Sequence, residues 1–235
     1  MKDARIPLLL LPGLLNDADL WQAQTQALSD IAKCVVGDLT QADALPDLAA
    51  QVLAQMPASG PFALAGFSLG GYVAQEILRQ APARVSRVAL LGTSARADSP
   101  QRALQRREQE RRVATPGTFV GFSERLMRDF VDVSRQGDPV LLQRIQAMTR
   151  RLGPEVFLRQ SRLARVDGHA VLAAFSGPAL VLCGAHDAIT PPVRSREIAA
   201  TMLDARLVEV PDCGHLAPLE RPHEVSVAMR EWLLR

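Results

Sequence analysis

A serine can attack a carbonyl carbon at neutral pH when a base takes its proton and a carboxylate orients that base. The chain offers all three groups in settings that could expose them. Gly66-Phe-Ser-Leu-Gly70 follows the apolar run Phe62–Ala65 and opens the small, apolar stretch Gly71–Gln80. Between a strand and a helix, G-x-S-x-G forms a tight turn with the serine in a strained backbone conformation, and side chains at the flanking glycines would collide with strand and helix. Such a turn would project the Ser68 hydroxyl from the C-terminal edge of a sheet. Asp212-Cys-Gly-His215 follows the apolar run Leu207–Val210, in a loop that could bring His215 to the same edge. Asp187 ends Gly184-Ala-His-Asp187, just after Leu180–Cys183. The order Ser68, Asp187, His215 suits a strand-turn-helix nucleophile, and the 28 residues from Asp187 to His215 have room for one helix and one strand. Rivals exist for each partner. His186 lies on the acid's own loop, Asp212 is close to His215, and Asp98 follows the run Val88–Leu91; His169 and His223 read as solvated or helix-end residues. An acyl-transfer oxyanion needs two backbone N–H donors, and the residue after the nucleophile, Leu69, is expected to supply one.

The elements that must hold these groups alternate. Apolar runs suited to buried parallel strands occur at Ile6–Leu11, Lys33–Gly37, Phe62–Ala65, Val88–Leu91, Ala179–Cys183 and Leu207–Val210. Helical spacing fills the intervals: Leu45, Leu48, Val52 and Met56 share one face, Gly70–Gln80 ends at Pro82, Pro192–Leu203 begins with a first-turn proline, and Val225, Met229 and Trp232 line up in Pro222–Leu234. Alternation of this kind argues an α/β fold with a parallel sheet of about six strands.

Composition narrows the classes. With 235 residues, 48% hydrophobic and 22% charged, the chain is an ordinary globular sequence rather than a disordered, collagen-like or disulfide-scaffold one. Cys34, Cys183 and Cys213 are odd in number, and with the four scattered histidines they provide no zinc ligand set, so no metal is expected. The absence of G-x-G-x-x-G and P-loop motifs implies no nucleotide cofactor. No run of about 18 apolar residues exists to span a membrane. Ile6–Leu15 could pass for a signal-peptide core, but two prolines interrupt it and no small-residue cleavage site follows; a cytoplasmic location is expected.

Four segments together resemble the α/β-hydrolase superfamily: LPGLLNDADLW from Leu11, GFSLG at 66–70, GAHDAITPP at 184–192 and CGHLAPLERP at 213–222. They correspond in order and spacing to family signatures, and the match covers the chain from Leu10 onward except for its middle. The resemblance implies Ser68 as nucleophile, His215 as base, Asp187 as the orienting carboxylate, and Leu14, after Gly13, as the second oxyanion donor. Many relatives carry His where this chain has Pro12, which puts the path of that turn in question. The nucleophile is serine, unlike the aspartate of haloalkane dehalogenases and epoxide hydrolases. Relatives often have two more N-terminal strands, so the sheet here is expected to be shortened and all parallel.

The middle differs in character. Residues 96–165 hold 15 Arg against 8 acids, a net of +7, while the remainder carries −5. Four helical stretches are expected there, at Gln101–Ala114, Phe119–Val133, Pro139–Leu152 and Pro154–Arg165, with Thr115-Pro-Gly117 as a break. The organisation implied is a hydrolase core of residues 1–95 and 166–235 with a helical cap at 96–165. Phe119, Phe122, Met127, Phe130 and Phe157 could form an apolar ceiling over the serine. The arginines read as a solvated helical surface, as a grip on a substrate carboxylate, or as a dock for an acidic carrier protein; none is assigned as a site residue. Mixed charge without interleaved aromatics argues against nucleic acid. The leading function is a serine hydrolase cleaving a small or medium carboxylic ester through an acyl-enzyme. The alternatives are a C–C bond hydrolase or lyase for an acidic diketone-type substrate, an esterase for acyl groups on an acidic carrier, and a hydrolase-fold binding protein.

Overall fold

Successive side chains of a strand point to opposite faces, so a run of four leucines buried throughout needs cover on both sides. Strand β1 (Ile6–Leu11) is such a run: Leu8 and Leu10 join one hydrophobic cluster, Leu9 and Leu11 another. The structure, a computed structural model, describes residues 5–114, 119 and 121–235. After β1 come helix α1 (Gln22–Ala27), β2 (Ala32–Val36), α2 (Leu45–Leu53), β3 (Phe62–Phe67), α3 (Leu69–Gln80) and β4 (Val85–Leu91). Helices α4 (Pro100–Val113), α5 (Glu124–Phe130), α6 (Pro139–Arg162) and α7 (His169–Ala173) precede β5 (Ala179–Gly184). Then follow α8 (Pro192–Thr201), β6 (Ala205–Val210), α9 (Ala217–Glu220) and α10 (Pro222–Leu233).

The six strands form one all-parallel sheet in the order β2-β1-β3-β4-β5-β6. Its two faces explain the two clusters. Trp21, Leu28, Val225, Met229 and Trp232, from around α1 and from α10, cover the face of Leu8 and Leu10; Leu48, Val73, Ile77, Leu172 and Ile198, from α2, α3, α7 and α8, cover the other. Because β1 pairs with β2 on one side and β3 on the other, the chain reverses its direction of winding at β1. A crevice opens there at the C-terminal ends of the strands, the usual ligand position in such sheets.

The inserted helices depart from the sequence reading in two places. Among its described residues, the stretch expected as a helix from Phe119 to Val133 is α-helical over α5 alone, because the Ser123 hydroxyl accepts from the Leu126 amide and starts the helix there. The two helices expected at Pro139–Leu152 and Pro154–Arg165 follow one another directly in α6, broken by Gly153 at φ 76°. The break expected at Thr115-Pro-Gly117 lies outside the described residues. Part of the charge imbalance is satisfied between insertion and frame: Arg144 Nε donates to Asp19 at 3.0 Å, Arg151 Nε to Asp17 at 3.0 Å and Arg159 Nε to Asp43 at 3.2 Å. Phe122, Met127, Leu141, Ile145, Met148 and Phe157 extend the Leu8 cluster, so the insertion shares the core of the sheet.

Candidate active site

Ser68 sits between β3 and α3 with φ 50° and ψ −111°, a conformation that strains a residue bearing a Cβ. The surroundings hold it. The Ser68 amide donates to Leu91 O at 2.9 Å, and its carbonyl accepts from Thr93 Oγ1 at 2.8 Å and Gly71 N at 3.0 Å. A Cβ on Gly66 would collide with the Gly70 carbonyl, and one on Gly70 with the carbonyls of Leu11 and Pro12. The glycines therefore let the turn close and let α3 start directly against the end of β1.

Three loops converge on this edge. His215 Nε2 lies 3.0 Å from Ser68 Oγ, and its Nδ1 lies 2.8 Å from Asp187 Oδ2. The other Asp187 oxygen, Oδ1, accepts from Ile189 N at 2.9 Å and Thr190 N at 2.8 Å, which fixes the carboxylate plane. Asp187 and His215 are both almost fully buried. The imidazole is held between aromatic rings, with Phe67 at 5.0 Å and Phe130 edge-on at 5.4 Å between centroids. Ser68, His215, Leu14 and Leu69 line one cavity of about 490 Å³, within the range of small-molecule sites. The Leu69 N–H opens α3 and so has no partner within the helix.

The rivals stand elsewhere. His186 is half exposed and its Nδ1 meets Asp132 Oδ2 at 2.6 Å. Burial acts to raise the Asp132 carboxyl, but hydrogen bonds from the Ser134 hydroxyl and amide and from His186 overcome it and hold the group at about 2. Asp212 is exposed, and its carbonyl rather than its carboxylate is engaged, by Arg221. Asp98 lines the cavity but pairs with Arg106. His169 opens α7 between Asp167 and Glu197, and His223 lies exposed in the first turn of α10. Of the aromatic ceiling, Phe122, Phe130 and Phe157 line the cavity with Ser68; Phe119 lines a neighbouring one and Met127 is core. Leu15 also lines the neighbouring cavity.

Two further residues support the site and escaped the sequence reading. Glu220, fully buried at the end of α9, accepts from Gly214 N at 3.0 Å and Leu216 N at 2.9 Å, the amides either side of His215, and from Asp132 N at 2.8 Å. Burial pushes its carboxyl up, against the pull of those three amides. Gln160 of α6 accepts from Leu15 N at 2.8 Å and donates to Leu39 O at 3.1 Å, tying the insertion to the turn after β1. The only trace in sequence was an uncharged polar residue three positions after Phe157 in a basic helix. Among the described residues no group of three or more His, Cys, Asp or Glu could hold a metal ion, and no helix is long and apolar enough to cross a membrane.

Known proteins place this geometry in context. Residues 8–228 match the alpha/beta hydrolase family. A Mycobacterium tuberculosis protein named as a non-heme bromoperoxidase is 31% identical over 180 residues, 72% of this chain; the chain spans 66% of that protein's length. The pimeloyl-[acyl-carrier protein] methyl ester esterase of Chromobacterium violaceum is 31% identical over 82% of this chain and 76% of its own. The structure of a thermophilic esterase from Thermogutta terrifontis, with malate bound, superposes with a TM-score of 0.86 at 31% identity, covering 97% of this chain and 89% of that one. The chain belongs to the alpha/beta hydrolase family.

Proposed function

We propose that the protein cleaves a small or medium carboxylic ester through an acyl-enzyme on Ser68. The observation that carries this reading is the unbroken relay from Ser68 Oγ through His215 to Asp187, at 3.0 and 2.8 Å. Ser68 Oγ attacks the ester carbon as its proton passes to His215 Nε2. Asp187 holds the Nδ1 proton in place and stabilises the imidazolium. The carbonyl oxygen becomes an oxyanion, for which the Leu14 and Leu69 amides are the donors. His215 returns the proton to the leaving alkoxide, and the alcohol departs. Water, deprotonated by His215, then attacks the acyl-enzyme and releases the acid and free Ser68. The inserted helices act as a cap, with Phe122, Phe130 and Phe157 keeping bulk water from the reacting carbonyl.

The esterase names of the Chromobacterium and Thermogutta relatives favour an ester over a C–C bond as the scissile group. The Chromobacterium protein's name also favours a second reading, an acyl ester presented on an acidic carrier that docks on the arginine-rich α4. The unpaired Cys34, Cys183 and Cys213 suit a reducing compartment such as the cytoplasm. A panel of p-nitrophenyl esters of rising chain length tests the function. Turnover that peaks at a short or medium acyl group and vanishes in Ser68→Ala is expected; equal turnover by Ser68→Ala overturns it.

A further inference from the structure

Five arginines, Arg96, Arg102, Arg106, Arg165 and Arg194, line the cavity that holds Ser68, against the single carboxylate of Asp98. Most are accounted for. Arg96 and Arg194 share Glu197 on α8, and Arg106 pairs with Asp98. Arg102 is exposed and donates to Ile189 O at 3.1 Å, on the loop of Asp187. Arg165 is different. Its guanidinium donates only to the carbonyls of Gln160 and Leu163 and lies over the Tyr72 ring, 5.8 Å from the centroid, with no carboxylate partner among the described residues. Tyr72 also lines the cavity and is four residues beyond Ser68, one turn along the helix that the serine opens. A cation is thus held at the wall of the cavity that contains the nucleophile, with no carboxylate paired to it among the described residues.

Such a group is costly to bury unless an anion completes it. The strain is visible in its acidity: burial first, and then the positive charge of Arg106, bring the Arg165 guanidinium down to about 9. The neutral alternative, a stem packed on apolar surface with its head in water, fits the exposed arginines of α4 but not Arg165, which is part-buried, faces the cavity and is directed by two carbonyls. A planar guanidinium fixed on two backbone carbonyls, with an aromatic ring beneath it, keeps donors free for a bidentate carboxylate.

We propose that Arg165, backed by Arg106 and Tyr72, forms a carboxylate subsite in the acyl pocket, so that the preferred substrates are half-esters of dicarboxylic acids. This rests on the ester-hydrolase reading above. The subsite holds the free carboxylate at the distal end of the acyl chain while the ester end meets Ser68, and the product is a dicarboxylate.

The experiment compares mono-(p-nitrophenyl) glutarate with p-nitrophenyl valerate, which have acyl chains of equal length and differ only in the terminal carboxylate. The ratio of their kcat/KM values is measured in wild type, Arg165→Gln and, as a control on the outer face of α4, Arg107→Gln. Wild type is expected to favour the glutarate ester, and Arg165→Gln to lower the ratio by roughly 30-fold or more, in KM as well as kcat, while Arg107→Gln leaves it in place. A ratio that does not respond to Arg165→Gln, or responds equally to Arg107→Gln, overturns the subsite. Calorimetric titration of glutarate supplies a readout independent of catalysis: at least about tenfold weaker binding to Arg165→Gln is expected, and equal binding again overturns the proposal. Should neither ester be turned over and a fluorophosphonate leave Ser68 unlabelled, the hydrolase reading fails, and the titration alone decides the subsite.

Discussion

Glu220 touches no reacting atom, yet its carboxylate fixes the backbone on both sides of His215, which makes it a positioning residue open to a quantitative test. Glu220→Gln keeps the shape and removes one acceptor. The glutamine oxygen can still take two of the three amides, those of Asp132 and Gly214 or the single one of Leu216, but its NH2 then faces at least one N–H donor. A charge-assisted bond from a buried amide contributes about 1.5–3 kcal/mol, and an orphaned buried donor costs a similar amount. Burial raises the Glu220 carboxyl, so neutralising it recovers part of the desolvation cost and places the net loss near 2 kcal/mol. For a chain of this size that corresponds to a fall in Tm of roughly 4–8 °C. Because the Gly214–Leu216 segment carries the imidazole, a displacement of about 1 Å should lower kcat by on the order of 10- to 100-fold with KM little changed. Calorimetry and steady-state ester hydrolysis read the two effects. A variant with wild-type Tm and kcat would refute the idea that Glu220 positions His215; a lowered Tm with intact kcat would reduce it to a structural residue.

Other consequences are equally direct. Asp187→Asn should lower kcat by roughly 10⁴, since the imidazole then holds the wrong tautomer, whereas Asp98→Asn and Asp212→Asn should cost less than about tenfold; a severe loss in either of the latter would move the acid. Gln160→Leu leaves the Leu15 amide and the Leu39 carbonyl without partners, and should cost about 1–3 kcal/mol in urea titrations and lower kcat through the turn that carries Leu14. The Asp132 carboxyl is held at about 2, below its unfolded value near 3.9, so the stability it contributes is present above about pH 4 and is lost as pH falls through 2. Asp132→Asn should accordingly be less stable than wild type at pH 7, and the gap should close between about pH 4 and pH 2; a constant gap would contradict that assignment.

What could be read in the sequence follows a physical boundary. Ser68, Asp187 and His215 each sit just past a run of apolar residues, and in a parallel sheet all such positions share one edge, so their meeting follows from strand periodicity and chain order. Leu8–Leu11 and Ala179–Cys183 are legible as strands because they are buried on both faces; the partly buried edge strands β2 and β6 shift by one or two residues from the expected runs, and the internal β4 begins three residues early, at a start where Ser86 and Arg87 are only partly buried. Glu220 and Gln160 left little trace because they serve backbone amides from loops distant in sequence, which no spacing rule encodes. Arg165 was hidden among fifteen arginines between residues 96 and 165, since pairing decides its role and the partners come from other elements. Part of the charge split, legible at once, is answered where Arg144, Arg151 and Arg159 pair with Asp19, Asp17 and Asp43.

The central claim is that Ser68 is a nucleophile activated by His215. Intact-mass and peptide-level mass spectrometry after brief exposure to a fluorophosphonate tests it most directly. One adduct per chain, located on Ser68, slowed strongly by His215→Ala and absent from Ser68→Ala, is the result the account predicts; an adduct that persists in Ser68→Ala, or forms at an unchanged rate without His215, would contradict it.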